Sequence, residues 1–315
     1  MESAGILPFP EQGYSMHQMP GPGLHQGNPV PRWKSLLFVP AHVDRFVKKA
    51  NERGADGIIL DLEDAVPQDR KSEARRQLSA SVAQVGSRGA SVLVRVNRGL
   101  RSLAVDLEVS VIPGVHGLVL PKVDSAEWIV EVAGAIEELE RERGLVLGAI
   151  KLLAQIETPA ALLRLPQIAS GHPRMAAMAL GPEDFSAAVG AAPDFDLLLG
   201  PNLSVLFAAR AAGILPLGFI GGIGDFSDIQ KFRQVATHAR RLGFAGALAI
   251  HPSQVAILNE AFSPTVEELE WAGRVVAANH QAAEQGNSAF AVAGKMIDPP
   301  IVRRAQEMLA LAGGS

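Results

Sequence analysis

Two acidic residues, Glu157 and Asp184, each follow an apolar segment with the length and composition of a buried β-strand. Residues that follow neighbouring parallel strands lie at the same edge of the sheet, so these carboxylates are expected to approach a single point. Carboxylates in such proximity repel unless a positive charge lies between them. The chain has no cysteine, and two carboxylates completed by water suit Mg²⁺ better than Zn²⁺ or a calcium cage. The pattern therefore indicates a magnesium site formed by Glu157 and Asp184.

Arg95 ends a third apolar segment. Its planar guanidinium could hold a carboxylate or a thioester oxygen of a ligand, and a purely structural ion pair is the alternative. Glu63 and Asp64 follow another such segment. They would either orient water bound to the metal or pair with Arg95, and the residues alone leave both interpretations open.

Other polar residues at the ends of apolar segments give weaker signals. Lys122 could form a Schiff base, but a salt-bridge role is favoured because a metal site already supplies an electron sink. His251 precedes a proline and is expected to hold its loop rather than act as a base. The glycine-rich segment 221–224 is a weak phosphate-loop pattern that a tight turn explains equally well.

Eight short apolar segments alternate with longer segments of helical periodicity, as in repeated βα units. The predicted strands are residues 35–39, 57–60, 92–96, 117–120, 151–156, 175–180, 217–220 and 247–250. The predicted helices are residues 44–53, 71–85, 126–143, 159–169, 203–212, 227–242 and 253–262. The count of eight predicts a closed (β/α)₈ TIM barrel with the polar residues at its carboxyl-terminal mouth. A doubly wound open sheet is the alternative, since alternation alone does not separate the two.

Two regions lie outside the predicted barrel domain, which spans residues 32–263. Residues 1–31 are rich in Pro, Gly, His, Gln and Met and lack the pattern of a secretory signal, so a flexible tail is expected. Residues 264–315 form a C-terminal helical extension, with predicted helices at 266–285 and 301–312 joined by a flexible link at 286–294. This arm is expected to pack on the barrel or to reach another subunit.

Composition narrows the classes of function. The chain has 315 residues, a net charge of −4, 48% hydrophobic and 20% charged residues, which allows a large core but gives no basic surface for nucleic acid or membranes. No apolar stretch reaches the roughly 18 residues of a membrane span. The lack of cysteine excludes a disulfide framework, a thiolate metal site and a cysteine nucleophile. We therefore expect a cytoplasmic protein that acts on small molecules.

These polar residues lie in segments that resemble a known enzyme family. The segments are SLLFVPAH (35–42), GADGIILDLEDAV (54–66), VRVN (94–97), LPKV (120–123), IETP (156–159), GPEDF (181–185), IHPSQ (250–254) and GKMIDPP (294–300). Together they are specific, although none is so alone. The chain is similar to the citrate lyase beta-subunit family within the HpcH/HpaI aldolase superfamily, over about residues 35–312.

The resemblance implies a Mg²⁺-dependent carbon–carbon lyase of the retro-Claisen or aldol type, or the reverse synthase. The implied substrate is a short hydroxyacyl coenzyme A thioester such as citryl-, malyl- or citramalyl-CoA. Glu157 and Asp184 would bind the metal, and Arg95, Glu157 and Pro182 would contact the substrate. Two alternatives stay open: a malyl-CoA thioesterase, and a non-catalytic barrel that senses a ligand or binds a partner.

The same resemblance gives roles to residues away from the mouth. Arg45 and Lys49 match positions that meet the phosphates of coenzyme A. Asp298 matches an acid–base residue that stand-alone family members supply to a neighbouring subunit's site. A homo-oligomer is therefore implied, a trimer or a hexamer, in which the C-terminal arm contacts a neighbour.

Overall fold

Eight parallel strands form one sheet in the computed structural model, which describes residues 32–222, 228–284 and 290–312. The strands are β1 (Ser35–Pro40), β2 (Gly57–Asp61), β3 (Ser91–Arg95), β4 (Gly117–Leu120), β5 (Lys151–Ile156), β6 (Met175–Leu180), β7 (Leu215–Leu217) and β8 (Ala247–Ala249). Seven of them lie within one residue of the predicted bounds. The exception is β7, which lies earlier and is shorter, because the chain after it packs Gly218 against the ring of Phe244, where a Cβ would lie 2.2 Å from the ring.

The sheet closes into a barrel. The strand order is β7-β6-β5-β4-β3-β2-β1-β8, and a parallel bridge between Leu217 and Gly246 joins the two outer strands. The N–H of Gly218 also donates to the carbonyl of Gly246 at 2.9 Å. Glycine is required at 246, since a Cβ there would lie 1.9 Å from the carbonyl oxygen of Trp33. The predicted (β/α)₈ barrel is confirmed, and the open sheet is wrong.

Side chains on each strand alternate between the barrel interior and the layer that faces the helices. The interior holds a cluster of Leu36, Ile59, Leu93, Val119, Leu153, Leu217 and Leu248. The opposite faces pack with the helices in a second, larger core. Because residues two apart on a strand share a face, the alternation carries Asp61, Arg95 and Glu157 onto the interior at the carboxyl end. The strands thus direct three charged side chains into the mouth.

Helices surround the strands. Those of the barrel are α1 (Asp44–Ala50), α2 (Lys71–Gly86), α3 (Leu100–Ser110), α4 (Ala126–Glu142), α5 (Pro159–Leu162), α6 (Leu165–Ala169), α7 (Pro182–Val189), α8 (Phe195–Ala211), α9 (Ile229–Leu242) and α10 (Pro252–Ala261). The sequence did not predict α3 or α7. Residues 159–169 form two short helices rather than one, because Pro166 lacks the N–H that would continue the first.

Helix α8 begins well before the predicted start at residue 203. The side chain of Asp194 accepts a hydrogen bond from the N–H of Leu197 and caps the helix, and Leu198 is fully buried. Capping and burial together outweigh the hydrogen bond lost at Pro201, which lies inside the helix. The predicted start at residue 203 is therefore wrong.

The C-terminal arm has a small core of its own. It comprises α11 (Val266–Glu284), a hairpin of β9 (Phe290–Val292) and β10 (Lys295–Ile297), and α12 (Pro299–Ala312). Its core contains Ala272, Val275, Ile297, Val302 and Ala305. The ion pair between Arg240 and Glu268 (2.7 Å) and the hydrogen bond from Arg32 to the carbonyl of Ala310 (2.8 Å) tie the arm to the barrel.

The link predicted at 286–294 is partly wrong, because residues 290–294 belong to this hairpin. Ala293 and Gly294 both have left-handed φ angles (49° and 76°), as a two-residue hairpin turn requires. Residues 1–31 and 285–289 lie outside the described part of the chain, so the predicted tail and the domain bounds remain predictions. None of the described helices combines the length and the apolar character needed to cross a membrane.

Candidate active site

Arg95 is fixed at the mouth by Asp61, a residue that the sequence did not single out. Its Nε and Nη2 donate to Oδ1 and Oδ2 of Asp61 at 2.8 and 2.5 Å, and its guanidinium lies 4.7 Å from the ring centre of Phe38. Asp61 is fully buried and also accepts the N–H groups of Glu63 and Ala65. Burial lowers the pKa of Arg95, but the hydrogen bond and charge of Asp61 outweigh it and raise that pKa. The guanidinium is therefore charged and held in one orientation.

Glu63 lies between the two basic groups of the mouth. Its Oε2 is 3.2 Å from Nη1 of Arg95, and its Oε1 accepts from Nζ of Lys122 at 3.0 Å. Burial raises the pKa of Glu63, and both cations oppose that shift. Of the two roles left open by the sequence, the structure shows the ion pair with Arg95 for Glu63, whereas Asp64 approaches Lys122 at 3.6 Å.

Lys122 has the ion-pair role that the sequence favoured. Its ammonium lies among four carboxylates, which we call the carboxylate ring: Glu63, Asp64, Glu157 and Asp184. The Nζ is 3.9 Å from Oε2 of Glu157 and 3.9 Å from Oδ1 of Asp184. The two predicted metal ligands therefore do approach one point, and in this structure an ammonium lies near it.

Glu157 is the most confined member of the ring. It is 3% exposed, its Oε2 has no hydrogen-bond partner, and Gly181 lies so close that a Cβ there would be 2.6 Å from Cγ of Glu157. Burial, and then the charge of Asp184, raise the pKa of Glu157 to about 8. A buried carboxylate oxygen without a partner is costly unless a cation or a proton satisfies it.

The donor set fits Mg²⁺. Within the described ranges no group of three or more His, Asp or Glu side chains forms a ready-made metal cage. Mg²⁺ needs no such cage, because it keeps several waters and is commonly held by one or two carboxylates. The unpartnered oxygen of Glu157 and the half-exposed carboxylate of Asp184 offer two hard oxygen ligands with open positions beside them.

A buried network behind the ring holds the loop that carries Glu63 and Asp64. Nζ of Lys71 donates to the carbonyls of Leu62 and Glu63 (both 2.9 Å) and to Oδ1 of Asn97 (2.8 Å). Asn97 in turn donates to the carbonyl of Leu62 and to a carboxylate oxygen of a fully buried acidic residue on α3, Asp106. Sequence reasoning missed Lys71 because it lies in a helix, ten positions past the strand.

The predicted coenzyme A residues lie beside the mouth. Arg45 and Lys49 line a cavity of about 600 Å³, together with Arg53, which the sequence did not single out. Its other lining residues are Leu37, Phe38, Val39, Pro40, Phe46, Ala50, Ile250, His251 and Pro252. Arg45 and Lys49 are four positions apart on α1 and so share one face of that helix, and Arg53 follows the end of the helix. His251 caps α10 by accepting the N–H of Ser253, which fits the loop-holding role expected of it.

Two predicted site residues lie apart from the ring. Pro182 is the buried first residue of α7 and so starts the helix that carries Asp184. Asp298 is exposed on the arm, where its Oδ1 accepts the N–H of Ile301 at 3.3 Å. Throughout the described part of this chain, Asp298 forms no ion pair or hydrogen bond with the ring or with Arg95.

The barrel carries a guanidinium, an ammonium and several carboxylates at the carboxyl ends of its strands. This is the arrangement found in (β/α)₈-barrel enzymes. The family model described as HpcH/HpaI aldolase/citrate lyase matches residues 34–252. The chain belongs to this family, and the resemblance seen in its sequence motifs is confirmed.

Known relatives match nearly the whole chain. The citrate lyase subunit beta of Escherichia coli K12 is 34% identical over 282 residues, which cover 89% of this chain and 93% of the relative. A (3S)-malyl-CoA thioesterase of Cereibacter sphaeroides is 33% identical over 294 residues, or 91% and 96% of the two chains. The similarity to these relatives therefore covers more of the chain than the residues that the family model matches.

Solved structures share the fold. The protein CitE of Mycobacterium tuberculosis, in complex with magnesium, acetoacetate and coenzyme A, aligns with a TM-score of 0.71 at 30% identity over 89% of this chain and 97% of its own. A citrate lyase of Burkholderia xenovorans aligns with a TM-score of 0.78 at 21% identity over 89% and 91%. The second likeness supports the barrel architecture alone.

Gly181→Ala tests the confinement of Glu157. The added methyl would displace a buried side chain that has no room to retreat, so we expect Mg²⁺ affinity to fall roughly 10- to 100-fold, as for other residues that orient a ligand. Titration calorimetry of the purified protein measures this. Gly134→Ala, where a Cβ meets nothing within 4 Å, is the matched control and should bind Mg²⁺ normally. Normal affinity in both variants would contradict the assignment of Glu157 as a ligand.

The raised pKa of Glu157 predicts a pH effect on the metal-free protein. Its folded pKa is about 8, against a usual value of 4.5, so between these values the folded state holds a proton that the unfolded state has released. Stability from this group therefore declines as pH rises from about 4.5 through 8. Glu157→Gln should remove this contribution, so its melting temperature should fall less than that of the wild type between about pH 5 and pH 9. Parallel curves for the two proteins would show that Glu157 has an ordinary pKa.

Proposed function

We propose that this protein is a Mg²⁺-dependent carbon–carbon lyase, or the synthase in the reverse direction, acting on a short hydroxyacyl coenzyme A thioester. Citryl-, malyl- and citramalyl-CoA are the candidate substrates. One observation carries the proposal: the mouth that gathers Arg95, Glu157 and Asp184 adjoins a cavity lined by basic side chains. Phe38 joins the two parts, since its ring contacts Arg95 and also lines the cavity.

The ligands of related structures support this class of substrate. CitE of Mycobacterium tuberculosis binds magnesium with acetoacetate and coenzyme A, and with pyruvate in a further structure. The citrate lyase beta subunit of that organism binds oxaloacetate and magnesium. Pyruvate and oxaloacetate are the keto acids released when citramalyl-CoA and citryl-CoA are cleaved. A coenzyme A thioester as substrate also fits the cytoplasmic location expected from the sequence.

Glu157 and Asp184 are the residues that would hold Mg²⁺. A bound magnesium ion would supply Lewis-acid stabilisation of negative charge on the oxygens of the hydroxy acid. Arg95 would stabilise the same charge by hydrogen bonding. Three of its five N–H donors face Asp61 and Glu63, which leaves donors for a substrate oxygen. In cleavage the hydroxyl would give its proton to solvent water, and the electron pair of the breaking carbon–carbon bond would pass to the thioester, so that a keto acid and a thioester enolate result.

The basic cavity suits the nucleotide end of coenzyme A. Arg45 and Lys49, with Arg53 just past the end of α1, offer positive charge to phosphate groups. The guanidinium of Arg45 lies 4.8 Å from the ring of Phe46, so aromatic surface is present beside the charges. A substrate with its phosphates here extends past Phe38 toward Arg95, which would bring its acyl group to the carboxylate ring.

Asp298 is the proposed acid–base residue, delivered by the arm of a neighbouring subunit. It would protonate the enolate carbon in cleavage, or deprotonate the acyl group in condensation. Its exposure and its separation from the ring of its own chain support delivery in trans, because an exposed carboxylate on an arm can enter a partner's mouth. We therefore propose a homo-oligomer, a trimer or a hexamer, with the arm against a neighbour.

A second candidate is a thioesterase specific for malyl-CoA. The observation in its favour is the (3S)-malyl-CoA thioesterase of Cereibacter sphaeroides, 33% identical over 91% of this chain. The same mouth could direct water to the thioester carbon, releasing free coenzyme A and a hydroxy acid. Products separate the candidates, since only the lyase yields a keto acid and a shorter acyl-CoA.

Metal-dependent turnover of the three candidate thioesters tests the proposed activity. The wild type should release a keto acid from at least one of them with Mg²⁺ and lose this activity with a chelator. Glu157→Ala and Asp184→Ala should lower turnover by about 10²-fold or more and keep the circular dichroism of the wild type. Glu131→Ala, on the exposed face of α4, should turn over normally. Full activity in a Glu157 or Asp184 variant would refute the site.

Complementation between two inactive variants tests delivery of Asp298 in trans. Asp298→Asn should keep Mg²⁺ and substrate binding but lose about 10²- to 10⁴-fold in turnover, the range for an acid–base group. Arg95→Ala should be inactive for lack of substrate stabilisation. Mixed oligomers should regain part of the activity, because an intact Arg95 mouth then meets an intact Asp298 arm. If hybrids identified by mass spectrometry stay as inactive as either parent, the arm does not act across subunits.

A further inference from the structure

The ammonium of Lys122 occupies the centre of the carboxylate ring. Its Nζ donates to Glu63 at 3.0 Å and lies 3.6, 3.9 and 3.9 Å from oxygens of Asp64, Glu157 and Asp184. Only the first distance is that of a hydrogen bond, and the other three are ion-pair distances around a shared cation. The ammonium is thus shared among the four carboxylates, whereas a simple salt bridge would serve one partner.

The backbone fixes Lys122 in this position. Its φ is 52°, a left-handed value that a residue with a side chain adopts only where its surroundings enforce it. The carbonyl of Lys122 accepts Nε of Arg98 at 3.3 Å, and the next N–H, of Val123, donates to the carbonyl of Gln155 on β5 at 3.1 Å. Such strain indicates that the surrounding structure fixes the backbone of Lys122 here. From this position the four-carbon side chain reaches the ring.

We propose that Lys122 is an exchangeable counter-cation of the metal site. In the metal-free protein its ammonium holds Glu157 and Asp184 together, and it withdraws toward Glu63 and Asp64 when Mg²⁺ binds. Two cations in one ring repel strongly at such separations, so both cannot keep the central position. This inference rests on the proposed magnesium site and deepens it.

The side chains around Lys122 allow this withdrawal. Its side chain is 37% exposed, and that of Asp64, on the solvent side of the ring, is 58% exposed. Glu63 can remain a partner throughout, because its two oxygens already face Arg95 and Lys122 separately. A lysine has a flexible stem and a compact charge, so it can shift between these partners, whereas a planar guanidinium is geometrically more demanding.

The sign of the effect distinguishes this role from others. If Lys122 competes with the metal, removal of its charge destabilises the metal-free ring more than the magnesium-bound one. Mg²⁺ should then bind more tightly to the variant. A lysine that served only to pin Glu63 would leave affinity unchanged, and one that helped to organise the ligands would lower affinity when lost.

Calorimetric titration of Lys122→Met with MgCl₂ tests the proposal. The dissociation constant should fall roughly tenfold or more, within the usual range of coupling between sites. The melting temperature of the metal-free variant should drop, and the rise on adding Mg²⁺ should exceed that of the wild type. Lys122→Arg should restore the metal-free melting temperature. Lys48→Met, which breaks an exposed ion pair with Asp44 on α1, should bind Mg²⁺ as the wild type does.

A second measurement uses the wild type alone and so does not depend on a variant that folds. Brief acetylation followed by peptide mass spectrometry should label Lys122 more strongly with Mg²⁺ than without it, while labelling of Lys48 stays constant. Unchanged or weaker Mg²⁺ affinity in Lys122→Met, or Lys122 labelling that does not rise, would overturn the proposal. A wild type that binds no Mg²⁺ at all would instead remove the proposed metal site, and this inference with it.

Discussion

Excess negative charge at the mouth of the barrel is the constraint on which the arrangement of the site depends. Five carboxylates, of Asp61, Glu63, Asp64, Glu157 and Asp184, share the mouth with the cations of Arg95 and Lys122. Asp61 is satisfied by four hydrogen bonds, two of them from Arg95. The others are satisfied less completely, and the shortfall is greatest at Glu157, whose pKa is raised and whose Oε2 lacks a hydrogen-bond partner. The unmet charge defines where a divalent cation is most favoured.

The barrel makes so much like charge tolerable by fixing where each carboxylate lies. Adjacent strands deliver the side chains, and the alternation along each strand decides which of them face inward. Gly181 then sets the position of Glu157 by close contact, and the buried network around Lys71 and Asn97 holds the loop that bears Glu63. A site on unsupported loops would relieve repulsion by spreading apart. Here the carboxylates stay close together, and a cation between them relieves the repulsion.

The sequence predicted those parts of the molecule that follow from strand ends and periodicity. Arg95, Glu157 and Asp184 stood at or just after the ends of apolar segments, so a barrel brought them together once eight strands were counted. Asp61 was not singled out, because the last residue of a buried strand carries no sign of which side chain it will pair with. The central position of Lys122 in the ring could not be predicted either, since it depends on a left-handed φ and on partners 35 to 62 positions away along the chain.

The predicted boundaries of helices and strands were wrong where tertiary packing outweighed local sequence preferences. Pro201 lies within α8 because a cap at Asp194 and burial of Leu198 favour the longer helix. The hairpin at 290–297 was missed because its strands are three residues each, too short for a period of two to be read. The hairpin is stabilised by the core of the arm, where Ile297 is 2% exposed. Packing of this kind between distant residues cannot be predicted from the sequence of the hairpin alone.

The position of Asp298 outside the carboxylate ring avoids adding to the same excess of charge. A further carboxylate placed permanently in the ring would either repel its neighbours or take up a proton, as the raised pKa of Glu157 shows. Asp298 instead lies exposed on a module with its own core, beyond hydrogen-bond reach of the ring in its own chain. In the proposed assembly it meets a mouth whose charge is already balanced by a metal ion. A carboxylate carried on a separate element can thus enter the mouth without adding permanently to the charge of the barrel interior.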